Sequence, residues 1–271
     1  DSTIVLENTP AGIPTLTIPN PGTDYGLGFQ VAAMGDNILA GSYRDDLGSL
    51  IDVGRAYLFD GNSGNTLTVF ENPDPRQDDQ FGISLAAVGD NVAVGNRRGW
   101  GGTAANQVYL FDSSSGQLLQ TFPDPNPKIG IGYGTAFGAL AGSIAALGSD
   151  LLVGAPTGDD GIIERTGIAY LMDTTTASVK QTFLSPTRSY GDDFGYAVSA
   201  WQNLVAISAR GDDEVGQDMG AGHIFDGSTG EWLLRLDSPE PQTGASFGHR
   251  VAILDGYVFV SASLQDVDGM P

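Results

Sequence analysis

A short apolar run, a two-residue turn and a second apolar run recur five times along the chain. The copies are VAAMGDNILAG from Val31, LAAVGDNVAVG from Leu85, IAALGSDLLVG from Ile144, VSAWQNLVAIS from Val198 and VAILDGYVFVS from Val251. Their turns fall at Gly35, Gly89, Gly148, Gln202 and Asp255, spaced by 54, 59, 54 and 53 residues. Gly-Asp and Asp-Gly steps between short apolar runs read as hairpins, because two-residue turns need positive φ. A hairpin unit repeated at this period cannot bury its apolar face alone, so the copies must stack.

A second motif follows each of the first copies: GRAYLFDGNSGNTLTVF from Gly54, NQVYLFDSSSGQLLQTF from Asn106, GIAYLMDTTTASVKQTF from Gly167 and GAGHIFDGSTGEWLLRL from Gly220. It reads as two further strands joined by a Gly/Ser/Thr/Asn-rich turn, and prolines such as those of ENPDP and FPDPNP end the last strand because proline cannot donate to a ladder. Each unit therefore holds four strands, a to d, which is the content of a β-propeller blade. Helical patterns of 10–15 residues, which parallel α/β units require, are absent.

The last unit stops at VFVSASLQDVDGMP and has strands a and b but no c or d. The front of the chain supplies them: STIVLE aligns with RAYLFD and TLTIPNP with TLTVFENP, which sets Ile4 and Leu6 in the columns of Tyr57 and Phe59. The expected fold is all-β, a single domain over residues 1–271 forming a five-bladed β-propeller. Its blades span approximately 27–80, 81–139, 140–193, 194–246, and 247–271 plus 1–26. The ring is expected to close by strands c (2–7) and d (15–18) pairing with strands a (249–254) and b (257–261), since an open terminal blade would expose a long edge. A closed monomer is the expected state; pairing between chains would give a head-to-tail polymer.

The charge and composition narrow the function. The chain has 33 acidic and 12 basic residues and a net charge of −21. Nucleic acid is therefore a poor partner, and so is an anionic membrane surface. No apolar run approaches the roughly 18 residues of a membrane span, which argues against membrane insertion. The absence of cysteine rules out disulfides and thiolate metal sites. No leader segment is visible, and Asp1 is an unusual first residue for a translated chain, so a processed or trimmed product is expected.

Within the repeats, Phe81-Gly82, Phe194-Gly195 and Phe247-Gly248 open strand a, with Leu27-Gly28 in that place in the first unit and, in the third, either Phe137-Gly138 three residues early or a degraded Leu140-Ala141. Gly154-Ala155-Pro156 follows strand b, replaced elsewhere by GSY, GNR, SAR and SAS. In these residues the chain resembles the FG-GAP repeat family, whose best-known members form the amino-terminal propeller of integrin α subunits. The resemblance implies an extracellular, secreted or cell-surface binding and adhesion module. Integrin-type repeats carry a calcium loop between strands a and b, but here those turns are only two or three residues long and cannot wrap a cation that needs six to eight oxygens. Integrin propellers also have seven blades.

Strands alternate direction, so the b–c loops and d–a connections share one face. The loops YRDDLGSLIDVG, PTGDDGIIERTG, RGDDEVGQDMG and LQDVDGMP make that face acidic through Asp45, Asp46, Asp52, Asp159, Asp160, Asp212, Asp213, Asp218, Asp266 and Asp268. Two readings are open: these loops hold calcium with carboxylates and carbonyls, or Asp and Gly cap solvated turns. Calcium is the only cofactor the pattern suggests. The second b–c loop, NRRGWGGTAANQ, breaks the pattern and offers Arg97, Arg98 and Trp100 as contacts for a protein or glycan partner. The other reading is a tryptophan folded over its own loop. Arg210-Gly211-Asp212 matches the integrin-ligand triplet, a chance match being the simpler reading in an Asp/Gly-rich chain. His223 takes the tyrosine place on strand c, where a packed, satisfied ring is expected, and His249 opens strand a of the last unit.

Five-bladed glycosidases place carboxylates on their innermost strands. Strands a here read FQVAAM, ISLAAV, GSIAAL, YAVSAW and HRVAIL, without Asp or Glu, and the channel-mouth column is Gln30, Ser84, Ser143, Ala197 and Arg250. A non-catalytic role is expected. The alternatives are a structural subunit of an extracellular filament or sheath and a five-bladed lectin, and the lectin is weakened by having a tryptophan in only one loop.

Overall fold

The computed structural model describes residues 3–7, 14–22, 26–97, 106–127, 143–159 and 161–265. Every element among them is a strand. The chain opens with β1 (Thr3–Glu7) and β2 (Pro14–Pro19), an antiparallel pair. The first complete sheet takes β3 (Leu27–Met34), β4 (Asn37–Ser42), β5 (Arg55–Phe59) and β6 (Thr66–Glu71) in that order. The second takes β7 (Ser84–Val88), β8 (Asn91–Gly95), β9 (Gln107–Asp112) and β10 (Leu118–Pro123). The third takes β11 (Ile144–Leu147), β12 (Asp150–Ala155), β13 (Ile168–Met172) and β14 (Val179–Phe183). The fourth takes β15 (Phe194–Trp201), β16 (Leu204–Ala209), β17 (Ala221–Asp226) and β18 (Trp232–Leu236). The chain closes with the pair β19 (Phe247–Leu254) and β20 (Tyr257–Ala262). The fold is all-β, built of four-stranded antiparallel blades in a β-propeller arrangement in which each strand a neighbours the strand a of the next blade.

The c–d turns are held by one repeated device. Asp60, Asp112, Asp173 and Asp226 each accept, on Oδ1, the amides two and three residues on and the hydroxyl of the residue three on. These hydrogen bonds favour the ionised form. The hydroxyls of Ser115 and Ser114 are the main cause that brings the Asp112 carboxyl down to about 2. The amide four residues on then returns to the same aspartate's carbonyl, at Gly64, Gly116, Ala177 and Gly230.

A backbone seam joins one blade to the next. Phe81 N donates to Val53 O (2.9 Å), Phe194 N to Thr166 O (3.0 Å) and Phe247 N to Met219 O (2.9 Å). The residue after each acceptor is a glycine, Gly54, Gly167 or Gly220, at φ of 84°, 84° and 78°. A side chain there would collide with the carbonyl of the facing phenylalanine. The phenylalanines sit buried in the wedge.

The front hairpin behaves as the c–d half of a blade. Ile18 packs on Tyr57 and Phe59 as Phe70 packs on Tyr109 and Phe111 of the following blade. The register differs by one from the sequence alignment. The bulge between Leu6 and Glu7 matches the bulge between Leu58 and Phe59, which sets Val5, not Ile4, in the column of Tyr57. The expected closure is not seen: among the described residues no ladder joins β1 to β20, and each half-blade stands as its own two-stranded sheet.

Ala177 alone among the four turn residues occupies the left-handed region without being glycine, at φ 55°. Release of that strain, worth roughly 1–2 kcal/mol, outweighs the loss of one half-buried methyl and glycine's added chain entropy. Ala177→Gly is therefore expected to raise stability by about 0.5 kcal/mol, whereas Gly116→Ala and Gly230→Ala should lower it by about 1 kcal/mol or more. Urea midpoints of the three variants check this; a loss of stability in Ala177→Gly would refute it.

Candidate functional site

The seam brings each b–c loop against the d–a connection that enters the next blade. Gln80 N bonds Asp52 O (2.9 Å), Gly191 N bonds Arg165 O (3.1 Å) and Ser246 N bonds Asp218 O (3.3 Å). Carboxylates gather along this edge, and several are buried beneath it.

In the fourth blade Asp212 is almost wholly buried. Arg235, on β18, grips it with two bonds, Nη2 to Oδ1 (2.7 Å) and Nη1 to Oδ2 (3.0 Å). Thr187 Oγ1 donates to Oδ2 (3.0 Å) and the Glu214 amide to Oδ1 (3.0 Å). Burial alone would raise the Asp212 carboxyl, but the facing His223 ring and the Arg235 guanidinium outweigh it and hold it well below the usual range. His223 is fully buried, its Nε2 is 3.8 Å from Asp212 Oδ2, and neither ring nitrogen has a hydrogen-bond partner. The ring is packed as the sequence suggested, against Phe194 at 5.6 Å, but it is not satisfied. Asp192 is within electrostatic reach of Asp212 and Arg235. Its Oδ2 accepts the Ser189 amide (2.7 Å), while its buried Oδ1 has no partner. Burial, with the Asp212 and Asp213 charges adding to it, pushes the Asp192 carboxyl up to about 7.

The first blade repeats this plan with other parts. Asp45 is fully buried and accepts the Ser42 hydroxyl (2.8 Å) and the Tyr57 hydroxyl. Tyr57 holds the place that His223 holds in the fourth blade, and burial followed by the Asp45 carboxylate pushes its hydroxyl well above its ordinary range. Arg55 stands 3.8 Å from Asp45. In the third blade Gly158 occupies the corresponding turn position, its carbonyl taking the Gly167 amide as Asp45 O takes Gly54 and Asp212 O takes Gly220. The carboxylates there come from Asp159, reached by Asn126 Nδ2 (3.4 Å), and from Asp124, which burial raises to about 6. In the second blade a buried Asn96 accepts the Gln107 amide (2.8 Å).

The acidic residues singled out from the sequence therefore separate. Asp45 and Asp212 are internal hubs. Asp46 Oδ1 accepts the Asp52 amide (2.9 Å) and Asp213 Oδ1 the Asp218 amide (2.6 Å), while Asp52 and Asp218 stand at φ 53° and 49° and give their carbonyls to the seam. Among the described residues, no three His, Cys, Asp or Glu side chains form a group that could hold a metal ion. Asp160, Asp266, Asp268, Arg98, Trp100 and the displaced Phe137-Gly138 lie outside the described residues. Arg97 gives its amide to Asp79 O (2.9 Å). The Arg-Gly-Asp triplet is not displayed as a ligand: Asp212 is consumed inside, and Arg210 bonds Asp193 (2.9 Å) and lies 4.0 Å over the Tyr196 ring. Ser84 and Ser143, expected at a channel mouth, are fully buried.

The acids of the d–a connections, in RQDDQ and YGDD, were not among the site residues read from the sequence. Asp79 and Asp192 are buried anchors of that connection, each accepting the amide three residues before it, from Arg76 and Ser189. The signal was available, since both sit two residues before the Phe of a Phe-Gly pair.

Residues 182–225, which carry the d–a connection, Phe194-Gly195, the triplet and His223, match the family model of the FG-GAP repeat. Over that segment the chain carries an FG-GAP repeat. The matched segment runs from the end of β14 to β17, so it contains the seam glycine Gly220 and the buried Asp212. Among solved structures the chain is similar to a crystal structure of the computationally designed Ika8 protein. The identity is 14%, the TM-score 0.50, and the match covers 93% of this chain and 72% of that one; it is a likeness of fold. No curated protein matches the chain in sequence.

Two outcomes are expected at this edge. The folded state holds the Asp192 proton more tightly than the unfolded state, so its contribution is full below about pH 4 and is lost as pH rises to about 7. Asp192→Asn should flatten that decline, retaining on the order of 2 kcal/mol at pH 8 and little at pH 4. Parallel stability–pH profiles would refute this. Arg235→Ala, which strands Asp212 in the interior, should cost about 3 kcal/mol in urea unfolding.

Proposed function

We propose that the chain is a non-catalytic binding module, secreted or displayed at a cell surface, whose contact face is the edge formed by the b–c loops and d–a connections. The observation that carries this is the FG-GAP repeat at residues 182–225, whose loops turn toward that edge. The reading is supported by how the edge is built. Its inner carboxylates are spent on holding the loops, so the loops present a fixed shape. The outer ones, Asp74, Asp78, Asp213, Glu214 and Asp218, stay exposed and give the face its sign. A rigid acidic edge suits a basic protein surface, or a glycan approached through a bridging cation. Arg97, Arg98 and Trp100 are proposed as the local contact that breaks the acidic field.

The test is binding of the chain to immobilised extracellular-matrix glycoproteins and to a glycan array, with calcium and with sodium at matched ionic strength. Binding to at least one of the two panels is expected, stronger in calcium. Calcium should also raise the melting temperature by mass action. Trp100→Ala should weaken that binding at least about tenfold without a loss of stability. A wild-type chain that binds neither panel, or a Trp100→Ala variant that binds equally well, would overturn the proposal in whole or at that residue.

A further inference from the structure

We propose that Asp192 is a proton-operated latch, which holds the d–a connection between the third and fourth blades closed while its carboxyl is protonated and releases it on ionisation.

Among the described residues, three connections lead into a Phe-Gly pair, at Phe81, Phe194 and Phe247, and they are built alike. Nine residues before the phenylalanine stands a buried side chain whose oxygen accepts the amide two residues on. Asn72 Oδ1 takes the amide of Asp74 (3.1 Å), Ser185 Oγ that of Thr187 (3.2 Å) and Ser238 Oγ that of Glu240 (3.3 Å). Two residues before the phenylalanine stands a second buried residue, which is Asp79, Asp192 or Ala245.

The two positions are matched in the first and last of these connections. Asn72 has a second polar group, and its Nδ2 donates to Asp79 Oδ2 (2.8 Å) beside the Arg76 amide (2.9 Å). Ser238 has no such group, and Ala245 needs none. The middle connection combines a serine with an aspartate. Ser185 offers only a hydroxyl, which lies 3.4 Å from Thr187 Oγ1. Asp192 Oδ2 is left with the Ser189 amide (2.7 Å), and its buried Oδ1 has no partner among the described residues. A buried carboxylate short of donors is costly, whereas the neutral acid brings no charge into the interior.

The surrounding charges act in the same direction. Asp212 and Asp213, on the b–c loop of the fourth blade, face Asp192 with negative charge. Arg235, on β18, faces it with positive charge, but its guanidinium is bonded twice to Asp212. His223, on β17, stands against Asp212 at 3.8 Å. Arg210, just after β16, is bonded to the neighbouring Asp193 (2.9 Å), which Arg165 and Asp218 also influence from the two b–c loops.

Asp192 sits where the connection meets both loops. Its carbonyl takes the Gly211 amide of the fourth blade (3.0 Å), and Gly191 beside it donates to Arg165 O of the third (3.1 Å). Arg188, Ser189 and Tyr190 lie on the same span and are exposed at the edge. Ionisation passes the proton to solvent and leaves a charge that outward movement of the span hydrates. In the open span Asp192 titrates as an ordinary carboxyl near pH 4 and in the closed span near pH 7, so the closed form weakens as pH rises from about 4 to about 7 and changes little above. The latch belongs to the connection and is independent of what the edge binds.

Hydrogen exchange at single amides tests the inference, read at about pH 5 and about pH 7 without divalent cations and corrected for the intrinsic rate at each pH. In the wild-type chain the Gly191 and Gly211 amides should lose at least about tenfold in protection at the higher pH. At both pH values they should be less protected than the amides of β16, which marks a local opening. Asp192→Asn removes the titration and should make the protection equal at the two pH values. Ser185→Asn recreates the Asn72–Asp79 pair and should raise the protection at the higher pH at least about tenfold. Circular dichroism verifies folding, and Ser185→Asn carries the comparison if Asp192→Asn does not fold. Wild-type protection at Gly191 and Gly211 that is the same at both pH values, or that matches β16 at both, overturns the inference. So does a pH dependence that persists in folded Asp192→Asn, or a folded Ser185→Asn that exchanges as the wild type does.

Discussion

The rest of the structure depends on a close contact between backbones: the glycine that precedes strand c in one blade lies against the Phe-Gly pair that opens strand a of the next. At Gly54, Gly167 and Gly220 any β-carbon would collide with the carbonyl of Phe81, Phe194 or Phe247. The chain therefore needs glycine there for two reasons, the close approach and the positive φ. Because the phenylalanine amide also donates across the gap, the seam fixes the distance between blades and the direction in which each d–a connection leaves. The phenylalanine ring then fills the wedge that the close backbones open, and the cores on either side of it follow. In physical terms, the Phe-Gly pair of the repeat is a wedge and a clearance.

The seam also explains the buried carboxylates. It pulls a loop of about ten residues beneath its own edge, where backbone amides and strand c side chains need acceptors. Asp45 and Asp212 supply them, and each is matched to a different partner set. In the first blade the partners are two hydroxyls and a distant arginine; in the fourth they are a bidentate arginine, a threonine and a histidine. The third blade does without the side chain, since Gly158 offers the same carbonyl. The position is thus defined by its backbone bond, and the carboxylate is an addition that bonds the strand c ring in the first blade, through Tyr57, and not in the fourth. There His223 has no bonded partner for either nitrogen, a costly state for a buried polar ring, and Asp212 faces it from just beyond hydrogen-bond distance.

Much of this architecture was legible in the sequence, because turn chemistry repeats visibly. Gly35, Gly89 and Gly148 mark the a–b turns, and Asp60, Asp112, Asp173 and Asp226 the c–d turns, each at a fixed place in its unit. The four complete blades follow from that spacing, and so does the assignment of the front hairpin to strands c and d. What escaped was whatever depended on a bulge or on depth. The bulge after Leu6 moves one residue out of alternation, and alternation is all that a sequence alignment of strands can use. Asp45 and Asp46 are neighbours of one type, yet one is fully buried and the other is not. Composition treats both as loop acids. Only the seam, which is a contact between segments about 30 residues apart, decides which of them is drawn under.

A stacked repeat has a further property that no single blade shows. Every interior blade covers its predecessor with strand a and offers strand b to its successor, so apolar faces cancel in pairs along the array. The pairs that do this are Leu39 with Leu85, Ala93 with Ile144, Leu152 with Val198 and Ala206 with Val251, so the burial begun by one blade is completed by its neighbour.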